Sequence, residues 1–169
     1  NACHGKNEGG GYLLFLDSNS SVNIDLFMVF CKSNDRGSLC FLQDSELTIT
    51  RSLLHLNRAL QGGFMLVEGK SRLKVTKNKF LYCSAIEGGV FKINSFHSIN
   101  IQENVFKGNK ASKYKLSVTV KEEVAPKGGV IHFGKIPDGL LDFKFVLIRN
   151  LFQGNQALLG GAFFSDDPE

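Results

Sequence analysis

Apolar residues in this chain fall at alternate positions in short runs. One series reads Leu13/Phe15, Leu39/Phe41, Met65/Val67, Phe91/Ile93 and Ile131/Phe133. A second reads Leu47/Ile49, Leu73/Val75, Ile99/Ile101 and Phe145/Leu147, and a third gives one residue per unit, Leu54, Phe80, Phe106 and Phe152. A period of two marks strands with one buried face. The runs recur with the glycines. Doublets end at Gly11, Gly63, Gly89, Gly129 and Gly161, with Gly37 between the first two, so the steps are 26, 26, 26, 40 and 32 residues. Alanines keep the same register at Ala59, Ala85, Ala111 and Ala157. A unit of about 26 residues is too short for a helical hairpin repeat and suits three short strands with their turns. The pattern predicts an all-β fold, a right-handed parallel β-helix (solenoid) of about five rungs, its hand set by the preference of parallel crossovers. Residues 1–169 read as one segment, with loop insertions near 110–127 and 134–142.

The columns of such a stack carry further expectations. Asn78, Asn104 and Asn150 share one column with Ser52 above them, which predicts a ladder of amides bonded along the stack. The doublet glycines are expected at positive-φ corners. Arg51, Lys77, Glu103 and Arg149 form a column expected on the outside. Val22, Ile24 and Leu26 are shifted by one residue from the pattern below, which predicts a bulge or altered turn between Ser18 and Val22. Strict alternation along the first series turns Tyr12, Leu14, Phe64, Leu66, Val90, Val130, His132 and Phe164 outward. That apolar stripe is either covered by the 110–127 insertion or is a contact face for a partner. The insertion itself, with Lys113, Tyr114 and Lys115 and the alternating run Leu116 to Val120, is the strongest candidate for specific recognition.

Composition and candidate chemistry narrow the function. Twenty Lys and Arg against 16 Asp and Glu give a net charge of +4, spread along the chain, so composition does not propose a nucleic-acid partner. The chain is 43% hydrophobic, enough for a core, yet no apolar stretch reaches the length of a membrane helix. Polysaccharide-cleaving chemistry needs clustered carboxylates. Asp17 with Asp44, and Asp138 with Asp142, are the candidates, but Asp is also favoured in turns, and that is the expectation here. His4, His55, His97 and His132 show no metal-ligand spacing. Gly9-Gly10-Gly11 is followed by no Gly-Lys-Ser/Thr, and no nucleophile-elbow motif occurs. No catalytic residue, metal or cofactor is therefore expected. Of the four cysteines, Cys3 and Cys31 are a candidate disulfide pair if an irregular first rung brings them together. Cys31 and Cys83 lie two rungs apart, too far to bridge, and Cys40 and Cys83 are expected to pack as small hydrophobes. Asn19, in the one Asn-x-Ser sequon, is a candidate glycosylation site.

The pairing of Gly88-Gly89-Val90-Phe91, Gly128-Gly129-Val130-Ile131 and Gly160-Gly161-Ala162-Phe163 with Phe106 to Asn109 and Phe152 to Asn155 resembles the repeats of chlamydial polymorphic membrane proteins. It is also similar to repeats in large surface proteins of ciliates, within the pectin-lyase-like β-helix superfamily. Two units depart from the pattern, since Leu54 to Asn57 lacks the Phe and Phe80 to Cys83 lacks the Asn. The resemblance implies a non-enzymatic structural or adhesive module of a larger cell-surface or extracellular protein. Its implied partners are proteins or a continuing chain at the open end, or a glycan. The alternatives are a carbohydrate-active β-helix and a scaffold subunit of a large complex. The strand Ala162 to Ser165 has no further strand of its own rung after it, so the chain is expected to continue past Glu169 or to be covered there by another chain.

Overall fold

The computed structural model describes residues 2–5, 13–16, 21–25, 30–33, 37, 40–113, 124–135 and 143–166, with side chains described from residue 37 onward. Every strand pairing in these segments is parallel, and no helix occurs among the described residues, so none is long and apolar enough to cross a membrane. Three sheets stack in step. The first holds Leu13–Leu16, Cys40–Gln43, Met65–Glu68, Phe91–Ile93, Ile131–Phe133 and Phe163–Ser165 in that order. The second holds Ser21–Asp25, Glu46–Thr50, Arg72–Thr76, Ser98–Gln102 and Lys144–Ile148. The third holds Leu53–His55, Lys79–Leu81, Val105–Lys107 and Leu151–Gln153. Each of the four repeats from Cys40 to Gln153 therefore gives one strand to each sheet, and neighbouring repeats bury a continuous core that none could bury alone.

That core is apolar and rich in phenylalanine. Phe80, Phe106 and Phe152 lie in one column of the third sheet, and successive rings stack with centroids 4.9 Å apart. Phe64 and Phe91 meet Phe80 edge-on from the first sheet, at 5.2 and 5.3 Å. The second sheet closes the interior with Leu47, Ile49, Leu73, Val75, Ile99 and Ile101, all buried.

Three details of register differ from the sequence pattern. Phe64 and Val90 do not turn outward; both belong to the core beside Met65 and Phe91, as does Val130. The amides of Phe64 and Met65 both bond to the carbonyl of Val90, and those of Val90 and Phe91 both bond to Val130. Two successive amides sharing one acceptor break the alternation, so two consecutive side chains face in. Next, Cys40 and Leu42, rather than Leu39 and Phe41, pair with Met65 and Val67, because Gly37 matches Gly62 and not Gly63. Finally, only the first glycine of each doublet has positive φ (Gly62, Gly88, Gly128 and Gly160, all at 60–64°). At Gly63, Gly89 and Gly129 the second is required by crowding: a Cβ on Gly89 would lie 2.2 Å from the carbonyl oxygen of Gly129, whereas one on Gly161 would meet only the Asn155 carbonyl oxygen at 3.6 Å.

In the first repeat Ser21–Asp25 pairs with Glu46–Thr50 as Val22 with Leu47, and Leu13 pairs with Cys40. The link from first to second sheet is thus two residues longer there, nine positions from Leu13 to Val22 against seven from Cys40 to Leu47. The expected bulge between Ser18 and Val22, and Leu26, fall largely outside the described residues. Lys110–Ala111 is a strand paired with Ser84–Ala85, so the first insertion starts after it.

Candidate functional site

Two corners of each repeat are built alike. A residue with positive φ is followed directly by a side chain, buried in all but the last repeat, that reaches along the stack. At the first corner Arg51, Lys77, Glu103 and Arg149 have φ of 47–59° and precede Ser52, Asn78, Asn104 and Asn150. Asn78 Oδ1 accepts from the Ser52 amide at 2.8 Å, Asn104 Oδ1 from the Asn78 amide at 2.8 Å, and Asn150 Oδ1 from the Asn104 amide at 2.9 Å. Their Nδ2 groups donate to main-chain carbonyls, Asn104 to Val75 at 2.9 Å and Asn150 to Ile101 at 2.8 Å. The second corner repeats the device. Leu56, Tyr82, Gly108 and Gly154 have positive φ and precede Asn57, Cys83, Asn109 and Asn155. Asn109 Oδ1 accepts from the Cys83 amide at 2.9 Å and Asn155 Oδ1 from the Asn109 amide at 3.0 Å. Buried main-chain donors must be paired, and these carboxamides do it without charge.

Among the described residues, the dense group of titratable side chains lies on the outer face of the first sheet. Leu66, Lys92, His132 and Phe164 form one outward column, in register across Met65–Glu68, Phe91–Ile93, Ile131–Phe133 and Phe163–Ser165. The column faces outward yet is covered: Leu66 and His132 are 0% exposed and Lys92 only 4%. Lys92 Nζ donates to His132 Nδ1 at 3.0 Å, and His132 Nε2 donates to Asp166 Oδ2 at 2.8 Å. That network assigns the neutral tautomer with its proton on Nε2. Glu87 closes the other side, 3.6 Å from Lys92 Nζ and 3.6 Å from His132 Nδ1. Lys127 pairs with Asp166 and stands over the Phe164 ring at 5.2 Å, and Phe164 meets the His132 ring edge-on at 5.6 Å.

Burial and the Lys92 ammonium push His132 below the ordinary histidine range, against the pull of Glu87 and Asp166. Burial likewise lowers Lys92, opposed by the same two carboxylates. Burial would raise Asp166, but its bond from Lys127 and the proximity of His132 and Lys92 outweigh that and hold it below the usual carboxylate range. Glu87, His132 and Asp166 each offer a ligand atom within 4.8 Å of one another, a donor set a divalent metal could use. The Lys92 ammonium already sits among those donors, 3.9 Å from Asp166 as well, so the chain supplies its own cation there. An incoming metal would first have to displace it.

The other candidate residues are placed as follows. Asp44 has φ of 47° and its Oδ1 accepts from the Lys70 amide at 2.7 Å, a turn contact to the next repeat. Asp17, Asp138, Asp142, Asn19, Tyr12, Tyr114 and Lys115 lie outside the described residues. Leu14 is described as backbone only, within Leu13–Leu16, and Lys113 is exposed. The stripe expected to face outward is broken up: Phe64, Val90 and Val130 turn inward, Leu66 and His132 are covered, and Phe164 is half-buried. His55 packs edge-on to Tyr82 at 5.9 Å and His97 is exposed. Ala2–Gly5 pairs with Phe30–Ser33 so that Cys3 and Cys31 are direct register partners, closer than the sequence columns implied. Cys40 and Cys83 are buried free thiols; burial raises both, Cys83 to about 12.

The sequence pattern missed the second ladder and the partners of His132. Asn57, Asn109 and Asn155 carry a clear signal, recurring in step with the first ladder. For the ionic group the signal was a lysine, Lys92, three residues past its doublet, in an outward column that also holds Leu66, His132 and Phe164. No protein family, curated protein or solved structure matches the chain.

Proposed function

We propose that the chain is a non-enzymatic structural or adhesive module of a larger cell-surface or extracellular protein, wound as a right-handed parallel β-helix of the pectin-lyase-like kind. The observation that carries this reading is the use of its reactive side chains. The two carboxamide columns are spent on main-chain groups of adjoining repeats, and the densest titratable group is closed around Lys92 with His132 fully buried. Such a protein offers a long, rigid surface rather than a reaction centre. The accompanying idea of a protein partner is supported by the exposed apolar side chains Leu151, Leu158 and Phe163, at 55%, 71% and 37%.

The carbohydrate-active alternative rests on one observation, the convergence of Glu87, His132 and Asp166. A polysaccharide panel assayed for new reducing ends and for unsaturated sugar products decides between them. The structural reading expects no turnover. Turnover that disappears in Glu87→Gln or Asp166→Asn, with the fold retained by circular dichroism, would establish the enzyme instead.

A further inference from the structure

We propose that the joined outer faces of the second and third sheets bind a linear acidic polysaccharide. The inference names the partner class for the adhesive reading above and rests on it.

The basic residues look scattered in the sequence, but the repeat gathers them. On Arg72–Thr76 the outward side chains include Arg72 and Lys74, and the same repeat continues through Lys77 at the corner to Lys79 on the third sheet; all four are exposed. Arg51 and Arg149 stand in the Lys77 corner column, and both are exposed. Lys144 falls in the Arg72 register and Lys107 on the third sheet. Over the described side chains of this surface there are eight basic groups and two acidic ones, Glu46 and Glu103. The chain as a whole carries only +4, so the excess is concentrated here. Lys77 pairs loosely with Glu103 there at 3.8 Å, both side chains exposed, while behind the first sheet Lys92 and Lys127 are matched one for one by Glu87 and Asp166.

The spacing fits an extended polyanion. Alternate residues on a strand lie roughly 6.5–7 Å apart and adjacent strands roughly 4.8 Å, so the charges form a flat grid rather than a pocket. Thr48 and Gln102, both half-buried, fill intervening outward positions with a hydroxyl and an amide that can bond sugar hydroxyls. None of the outward positions of the second sheet described here is aromatic. On the third-sheet side the aromatic rings are His55 and Tyr82, packed edge-on against each other at 5.9 Å, so a single-stranded nucleic acid would meet one such pair rather than the row of stacking platforms such polymers use, and a flat grid puts no element into a duplex groove. Charge complementarity thus favours a polymer whose recognition is carboxylate or sulfate plus hydroxyl.

The test is anisotropy titration of a fluorescent heparin oligosaccharide with the 169-residue chain. Saturable binding is expected, weakening by about tenfold from low to physiological salt as screening grows. Arg72→Ser/Lys74→Ser should weaken it by about fivefold or more, because two charges leave the grid. Arg58→Ser/Lys110→Ser removes the same charge from positions in register with the small sheet, both being partners of Ser84, and should leave affinity within about twofold. Circular dichroism and thermal melts confirm that both variants fold. No binding at low salt, equal loss in the two variants, or tighter binding of an oligonucleotide or anionic vesicles of matched charge would overturn the proposal. A failure here leaves the non-enzymatic reading standing, because that reading is decided by turnover.

Discussion

At the two turn columns, Asn78, Asn104 and Asn109 bury carboxamides against main-chain groups of adjoining repeats. Behind the first sheet, Lys92, His132, Glu87 and Asp166 bury charges against one another. Both arrangements satisfy polar atoms away from water, but they differ in what remains when a side chain is removed. A ladder asparagine serves amides and carbonyls that persist whatever residue replaces it. The ionic group serves only side chains, which can be removed as a set. The first is therefore a fixed requirement of the winding, and the second is a replaceable one.

The largest effect should come from the ladder. Asn104 Oδ1 accepts from both the amide and the Nδ2 of Asn78, and Asn104 Nδ2 donates to the carbonyls of Val75 and Gln102. Asn104→Leu fills similar space but strands those donors. The expected loss is roughly 2–4 kcal/mol, taking about 1–3 kcal/mol for each buried group left unpaired. Urea denaturation measures it. A loss under about 1 kcal/mol would mean that the main chain finds water or another partner there, and the contrast between the two regions would collapse.

The ionic group should behave in two steps. Lys92→Met alone leaves Glu87 and His132 facing each other without their cation, and roughly 2–3 kcal/mol is expected to be lost. Adding His132→Leu and Glu87→Gln removes the remaining buried set, while Asp166 keeps Lys127; most of the loss should then be recovered. The pH dependence follows from the same groups. His132 titrates below its unfolded value of 6.5 in the folded chain, so the unfolded state takes up the proton first. Stability is full above about pH 6.5 and falls as pH drops from there towards the folded value. Asp166, held below 3.8, contributes a separate loss only at still lower pH. Melting curves across the pH range should lose the upper step in the triple variant. A step that persists there would assign it to another group.

How far the sequence foretold these two regions follows from the same difference. The ladder partners sit 26 residues apart because the main-chain period imposes it, so Asn78 and Asn104 stand out on inspection; the 46-residue step to Asn150 is the same column carried across the insertions. The ionic partners are separated by 40 and 34 residues, since the segments between them include those insertions, and no fixed spacing ties Glu87 and Asp166 to His132. The doublet corner was half legible. Glycine marked its place, but the pairing of two amides with one carbonyl, which turns Phe64 and Val90 inward, depends on hydrogen bonds that alternation does not encode.

The smallest effect should come from the flaw in the second ladder. Cys83 occupies a position that Asn57, Asn109 and Asn155 fill in the other repeats. Asn109 Nδ2 bonds to the Phe80 carbonyl at 3.0 Å and Asn155 Nδ2 to the Phe106 carbonyl at 3.0 Å. Cys83 Sγ stands 3.7 Å from the equivalent carbonyl of Leu54 and 3.8 Å from Asn57 Nδ2, long contacts to a weak donor and acceptor. Cys83→Asn matches the side-chain volume closely and supplies both a proper donor and a proper acceptor at a corner already set by the positive φ of Tyr82. It should add about 1 kcal/mol, a rise of roughly 2–4 °C in melting temperature for a chain of this size. Cys83→Ala, which supplies neither group, should give no rise. A fall with Cys83→Asn would mean that the neighbouring repeats have closed around sulfur, and that this repeat, unlike those flanking it, is held by packing rather than by its ladder.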